Sequence, residues 1–287
     1  MSAPASTAPT VFLDLNQTLV RTGQVALEER LREQRELEEL RELCAQIAGR
    51  WGLRLVFLTG NSFEYSRRIE EPLGLKNLEG LRLTVVSENG LLGRDFRQGD
   101  LWRARPTRGY RELVDELAER VFAHPTLAGR SYTQGNEVRV TFKPVANAFA
   151  EEELAAFVEL RVSLGLAEQA VVYTHRFYVD VDPLEVELDG ERHRPFAGKG
   201  YAVRRLADPA ARCLAAIGDS ASDVPMFEAV RALGGTSYLV ENAPPEVPGA
   251  ESVTRIPGRF TAGVNRVLRG LLAEGSSIQD PGCGSPG

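Results

Sequence analysis

Five short, largely apolar runs constrain this chain more than any other feature: Val11–Leu15, Arg54–Leu58, Leu83–Val86, Cys213–Ile217 and Tyr238–Val240. Their hydrophobicity does not alternate, and turn residues bound each of them. A strand of that kind is buried on both faces, which is the situation of a parallel sheet sandwiched between helices. Helical patterns separate the runs. The longest, Ala26–Arg50, carries an apolar stripe of Leu27, Leu31, Leu37, Leu40, Leu43 and Ile47. Its other face holds Glu28, Glu29, Arg32, Glu33, Arg35 and Glu36, the pattern of a solvated helix surface with (i, i+4) ion pairs.

The middle of the chain reads differently. Asn136–Lys143 alternates polar and apolar residues, as a half-exposed antiparallel strand does. Tyr110–Phe122 and Glu151–Leu164 have amphipathic helical spacing, and Val171–Val181 reads as strands broken at Pro183. The expected class is therefore α/β. Residues 10–90 and 191–274 would form a doubly wound, Rossmann-like parallel sheet, and residues 91–190 an inserted α+β domain. The small, Pro- and Gly-containing ends, 1–9 and 275–287, are expected to be disordered tails.

Composition removes several classes of function. The 287 residues carry a formal net charge of −6 and no basic stripe, which argues against nucleic acid as partner. No run approaches the ~18–20 apolar residues of a bilayer crossing, so no membrane partner is expected. The start, MSAPASTAPT, lacks the basic and apolar regions of a secretory signal. Cys44, Cys213 and Cys283 form no CxxC pair, and His124, His175 and His193 do not cluster. That usage fits a reduced, cytoplasmic protein without disulfides or zinc. Nothing in the sequence specifies an oligomeric state.

In doubly wound sheets, ligands bind at the carboxyl ends of the strands. Asp14, Asn16 and Thr18 follow the first run, and Thr59, Gly60 and Asn61 the second. Gly198-Lys199-Gly200 precedes a later helix, and Gly218, Asp219, Ser220 and Asp223 follow the fourth run. Asp14, Asp219 and Asp223 would repel one another unless a cation neutralised them, and an all-oxygen ligand set selects a hard ion such as Mg²⁺. Such an ion brings a phosphate dianion up to a carboxylate. Thr59, the N–H groups of Gly60 and Asn61, and Lys199 can hold phosphoryl oxygens while an aspartate attacks phosphorus.

These residues carry a resemblance to the phosphatases of the haloacid dehalogenase superfamily. Four motifs stand in that family's order: DLNQT at 14–18, a hydrophobic strand ending in Thr at 55–59, Lys199, and GDSASD at 218–223. Supporting pieces are Ser87-Glu88-Asn89-Gly90, the GKG at 198–200, Met226-Phe227 and Glu241-Asn242-Ala243. The insertion between the second and third motifs resembles the C2-capped branch, which includes Cof-like, sucrose-phosphate and mannosyl-3-phosphoglycerate phosphatases. The resemblance covers residues 10–272.

It implies that Asp14 is the nucleophile and a Mg²⁺ ligand, joined by the backbone carbonyl of Asn16 and by Asp219. Asp223 would support the water shell of the metal or Lys199. Thr59, Gly60, Asn61 and Lys199 would bind the phosphoryl group of a small phosphorylated metabolite, a sugar phosphate by analogy. Two positions depart from the pattern. Asn16 stands where the family has an aspartate that gives and takes protons, a service worth about 10²–10⁴-fold. Ser222 replaces a frequent Asn. Asn16 keeps open slowed hydrolysis, phosphotransfer to another acceptor, or a catalytically degenerate protein that binds a phosphorylated ligand or a partner.

Elsewhere the simpler readings stand. Arg103, Arg105 and Arg108 read as a solvated basic patch, and Trp51, Trp102 and the methionines as packing residues. Cys213 reads as inert core. His175 and Arg176 read as surface or packing residues of the insert, with a place facing substrate as the alternative.

Overall fold

The computed structural model of the protein describes residues 8–21, 27–196, 198–208 and 210–277. Strand β1 (Thr10–Asp14) is buried along its whole length. It is followed by α1 (Leu27–Trp51), β2 (Leu53–Leu58), α2 (Phe63–Leu73) and β3 (Leu81–Ser87). A hairpin, β4 (Leu92–Asp95) and β5 (Gly99–Arg103), comes next. The insert then runs through β6 (Arg105–Pro106), α3 (Arg108–Ala123), β7 (Ser131–Gln134), β8 (Val140–Pro144) and α4 (Glu151–Ser163). It ends with β9 (Ala170–His175), β10 (Tyr178–Pro183), β11 (Val186–Leu188) and β12 (Glu191–His193). The chain returns through α5 (Gly198–Leu206), β13 (Leu214–Gly218), α6 (Val224–Ala232), β14 (Thr236–Val240), β15 (Thr254–Ile256) and α7 (Thr261–Ser277).

The large sheet has the order β15-β14-β13-β1-β2-β3-β4-β5. Strands β15 through β3 are parallel, and β4 and β5 add on antiparallel. Val11 and Leu13 pack with Leu40, Ile47 and Leu268 on one face, while Phe12 packs with Val203 and Phe227 on the other. Burial on both sides is the physical reason the strands read as unbroken apolar runs. The chain leaves β1 toward β2 and comes back on its other flank at β13. That opens the crevice of a topological switch point at the carboxyl ends of β1 and β13.

The insert forms two further sheets, β7-β8-β10-β9 and β12-β11-β6. One face of the four-stranded sheet closes on α3 and α4 through Phe142, Val179, Val181, Leu117 and Phe157. Its other face carries Arg139, Thr141 and Lys143 beside Tyr178, Asp180 and Asp182, as the β8–β10 register requires.

Several expectations need correction. Leu92–Asp95, assigned to the insert in the 91–190 division, pairs with β3 in the large sheet, and Gly99–Arg103 in turn pairs with Leu92–Asp95. The antiparallel hairpin protects what would otherwise be an open parallel edge. The expected strand Asn136–Lys143 begins only at Val140, because the N–H groups before it are bonded elsewhere. Leu27 and Leu31 are 72% and 52% exposed, so the apolar stripe of α1 is packed only from its middle onward. Cys213 is half-buried just ahead of β13, whereas Cys44 is buried, and desolvation pushes its thiol up to about 12. The expected tails fall largely outside the described residues. Pro9 nevertheless accepts the Arg54 N–H at 3.0 Å, and α7 continues through Ser277. Ala26 and Cys283 also lie outside the described residues. Among the described residues, no helix is long and apolar enough to cross a membrane.

Candidate active site

Asp14 ends β1 and is buried. Beyond it the chain turns through Gln17 at positive φ, and the carbonyls of Gln17 and Leu19 accept from Asn242 Nδ2 (2.6 Å) and Thr261 Oγ1 (2.5 Å). Asn242 belongs to the Glu241-Asn242-Ala243 motif, whose structural work is thus to pin the loop after β1.

Lys199 comes from the first turn of α5. Its Nζ donates to Asp14 Oδ1 (2.7 Å) and Asp223 Oδ1 (2.6 Å). The flanking glycines make this reach possible. A Cβ at Gly198 would sit 1.6 Å from the Asn89 carbonyl oxygen, and one at Gly200 2.7 Å from that of Pro225. Asp223 is fully buried, and its Oδ2 accepts the N–H groups of Asp219 (3.0 Å) and Ser220 (3.1 Å). Asp219 accepts from Thr18 Oγ1 at 3.1 Å. Ser222 pairs its hydroxyl with that of Ser220 at 2.9 Å.

Oxygen atoms of Asp14, Asp219 and Asp223 lie within 4.8 Å of one another. Burial raises the Asp14 carboxyl to about 7, against the pull of Lys199 and with the push of Asp223. Burial also raises Asp219 to about 8, helped by Asp14 and Asp223. Burial opposes the charge of Lys199, but Asp14 and Asp223 outweigh it and hold the ammonium firmly protonated. Ionised, three carboxylates against one ammonium leave two negative charges in an all-oxygen pocket. That donor set fits a divalent hard cation.

Thr59, Gly60 and Asn61 lie one strand over, since Asp14 pairs with Leu58 across β1 and β2. Thr59 is fully buried, and its Oγ1 accepts the Asn61 N–H at 3.1 Å. Asn16 stays beside the site but turns to an unforeseen partner: its Oδ1 accepts from the Tyr65 hydroxyl at 2.6 Å. Tyr65 stands in the first turn of α2, where Ser62 caps the helix. Burial and the charges of Asp14 and Glu33 push its phenol up to about 12.

The insert supplies groups that sequence reasoning missed. Arg139 is buried, with Nη2 2.7 Å from Asp180 and Nη1 3.0 Å from Asp182, and its Nε has no hydrogen-bond partner. Gly60 lies against the guanidinium: a Cβ there would sit 3.4 Å from Arg139 Nη2, an ordinary contact, and 3.0 Å from Asn89 Oδ1. Tyr178 is pushed up to about 12, mainly by burial and Asp180, with smaller influences from Lys199, Arg139 and Asp14. The polar face of the insert therefore looks toward the rim of the large sheet. The signal was the alternation itself: Arg139-Thr141-Lys143 and Tyr178-Asp180-Asp182 each place three polar residues on one strand face.

His175 lies on this face too, packed on Tyr178 with ring centroids 5.0 Å apart, and Arg176 stacks on Phe177 at 4.4 Å. Arg108 and Arg103, read as part of a solvated basic patch, pair with Glu112 and Glu137.

This is the fold of the haloacid dehalogenase-like hydrolases, with an inserted cap. The chain superposes on such a hydrolase from Bacteroides thetaiotaomicron with a TM-score of 0.59, at 14% identity over 92% of this chain and 99% of that one. The C-terminal domain of a Candida albicans trehalose-6-phosphate phosphatase gives a TM-score of 0.61 at 15% identity, covering 94% and 93% of the two chains. A Thermotoga maritima protein gives 0.58 at 15% identity, over 91% and 96%. No family model and no curated protein matches the sequence.

Proposed function

We propose that the protein is a Mg²⁺-dependent phosphatase of a small phosphorylated metabolite, with sugar phosphates as the substrate class and Asp14 as the attacking group. The observation that carries this reading is the convergence of Asp14, Asp219 and Asp223 within 4.8 Å around a buried Lys199. Desolvated carboxylates with raised pKa values cost stability, so a cluster of this kind makes physical sense as a site and not as packing. The Candida albicans neighbour is named for action on a sugar phosphate, and the tyrosines of the cap face, Tyr173 and Tyr178, offer rings suited to a sugar.

Asp14, Asp219 and the Asn16 carbonyl would hold the metal, with Asp223 fixing Lys199. Bound there, Mg²⁺ would neutralise the carboxylates and draw charge from the phosphoryl oxygens. The Asp14 carboxylate attacks phosphorus, the bond from phosphorus to the sugar oxygen breaks, and that oxygen takes its proton from solvent. Thr59, the Gly60 and Asn61 N–H groups, and Lys199 hold the oxygens over which charge spreads. Water then attacks phosphorus, the bond to Asp14 breaks, and the carboxylate returns as phosphate leaves and a proton passes to solvent.

Asn16 favours a second reading. Its amide does not exchange protons near neutral pH, and its partner Tyr65 titrates at about 12. Water attack is then slow, and the phosphoryl group either passes to another acceptor or does not turn over. The latter case is a protein that binds a phosphorylated ligand or a partner. One assay separates the readings: phosphate release with Mg²⁺ and a panel of sugar phosphates by the wild type, Asn16→Asp and Asp14→Asn. Release that rises in Asn16→Asp and vanishes in Asp14→Asn supports the phosphatase. No gain in the first and no loss in the second overturns catalysis. A stable acyl phosphate on Asp14 supports transfer.

A further inference from the structure

The Ser87-Glu88-Asn89-Gly90 turn takes no part in the chemistry above, yet it is bonded on two sides. Glu88 and Asn89 both hold positive φ, 53° and 55°. Consecutive non-glycine residues persist there only where their surroundings enforce it. Toward the core, the Glu88 N–H donates to the Asn61 carbonyl and the Asn89 N–H to the Thr59 carbonyl, each at 3.0 Å. The turn thus holds both ends of the loop assigned above to the phosphoryl group.

Toward the cap, the fully buried Glu88 carboxylate accepts three successive N–H groups, from Glu137 (2.7 Å), Val138 (2.8 Å) and Arg139 (3.1 Å). Asn89 Nδ2 donates to Asp182 at 2.8 Å, and Asp182 also receives Arg139. A carboxylate gripped by a row of N–H groups forms strong, charge-assisted bonds when water is excluded. An ordinary domain seam is made of many weak contacts. Here the Glu88 carboxylate grips three successive N–H groups of the cap, alongside Asn89–Asp182 and the Arg94 and Arg103 pairs to Glu137, and the backbone of Glu88 itself holds the loop, so lifting the cap pulls on Thr59–Asn61.

We propose that Glu88 is a positioning residue that couples docking of the cap to the geometry of the 59–61 loop, so that phosphoryl binding and cap closure form one linked equilibrium. The proposal rests on the phosphatase reading only where it assigns the ligand of that loop.

Hydrogen–deuterium exchange of the full chain tests it, with and without Mg²⁺ plus inorganic phosphate, for the wild type and Glu88→Gln. In the wild type, phosphate should slow exchange of the 137–139 amides by about fivefold or more, although those amides bind Glu88 and not phosphate. In Glu88→Gln, exchange at 137–139 and at the Asn89 amide should rise by about tenfold, and phosphate should no longer slow it. Exchange in β1 and β13 should stay unchanged. Protection of 59–61 without any at 137–139 in the wild type overturns the coupling, and so does protection at 137–139 that survives in Glu88→Gln. If Glu88→Gln does not fold, the wild-type comparison alone decides. If phosphate does not bind, the phosphatase reading falls. The coupling is then judged on Glu88→Gln without ligand, where faster exchange confined to 137–139 overturns it and faster exchange reaching Asn89 supports it.

Discussion

Two clusters of buried charge lie on either side of the Thr59–Asn61 loop, and they are balanced differently. At the sheet rim, Asp14, Asp219 and Asp223 share a single ammonium, and burial raises two of the carboxyls to about 7 and about 8. In the cap, Arg139 sits between Asp180 and Asp182, Thr141 donates to Asp180 at 2.7 Å, and Asn89 donates to Asp182. Glu88, the remaining carboxylate there, is held by three N–H groups. Each cluster sets three carboxylates against one cation, and burial raises Asp182 in the cap as well. The difference lies in the partners: each of those cap carboxylates is bonded by Arg139 or by a row of N–H groups, whereas among the described residues no ion pair reaches Asp219, which accepts from Thr18. A buried cluster left uncompensated points to a ligand, whereas a compensated one points to architecture.

The sharpest way to test this contrast begins at Asn16. Asn16→Asp should raise phosphate release by about 10²–10⁴-fold, because it restores a proton donor and acceptor at the rim. Steady-state assays with Mg²⁺ check it, and an unchanged rate would mean that proton transfer is not what the site lacks.

The next comparison sets Arg139→Met against Lys199→Met. Each removes the cation from a buried cluster, and each should cost about 3–5 kcal/mol in denaturant titrations without metal. Mg²⁺ should recover much of the loss for Lys199→Met and none for Arg139→Met. Equal recovery, or none in either, would erase the distinction.

A smaller effect follows from pH. Asp14 and Asp219 keep native-state values of about 7 and about 8 against an ordinary 3.8, so the folded protein holds protons that the unfolded chain has released. Their contribution to metal-free stability is full below 3.8 and is lost as pH rises through 7 to 8. Mg²⁺ must displace those protons, so the rise in Tm on adding Mg²⁺ should be larger at pH 8 than at pH 6. Thermal melts at the two pH values check the sign. The smallest change is Tyr65→Phe, which should cost about 1 kcal/mol and alter turnover less than tenfold. A far larger loss of turnover would make Tyr65 a proton carrier.

Much of the large sheet was legible because burial on both faces leaves a local mark. The runs around Phe12, Val56 and Ile217 show no alternation for that reason. Asp14, Thr59 and Asp219 could be picked out because a strand end in a doubly wound sheet is a place in the chain as well as in space, whereas Lys199, in the first turn of α5, was marked by its flanking glycines ahead of a helix. The start of β8 was not, because Glu88, about fifty residues earlier, takes the N–H groups of residues 137–139. Nor was the placement of Leu92–Arg103 on the large sheet, since an edge hairpin carries no periodicity that names its partner. Asn16 was visible as a departure, but its Tyr65 partner, 49 residues on, was not.

The sequence by itself determined the buried parallel strands and the identity of the groups at their ends, since side-chain period and strand termination are properties of neighbouring residues. Only the tertiary structure decided who bonds with whom: Lys199 with Asp14 and Asp223, Tyr65 with Asn16, Arg139 with Asp180 and Asp182, and Glu88 with the cap. Those pairings join residues far apart in the chain. A donor and acceptor bond only at short range and suitable angle, and folding, not local pattern, brings them there.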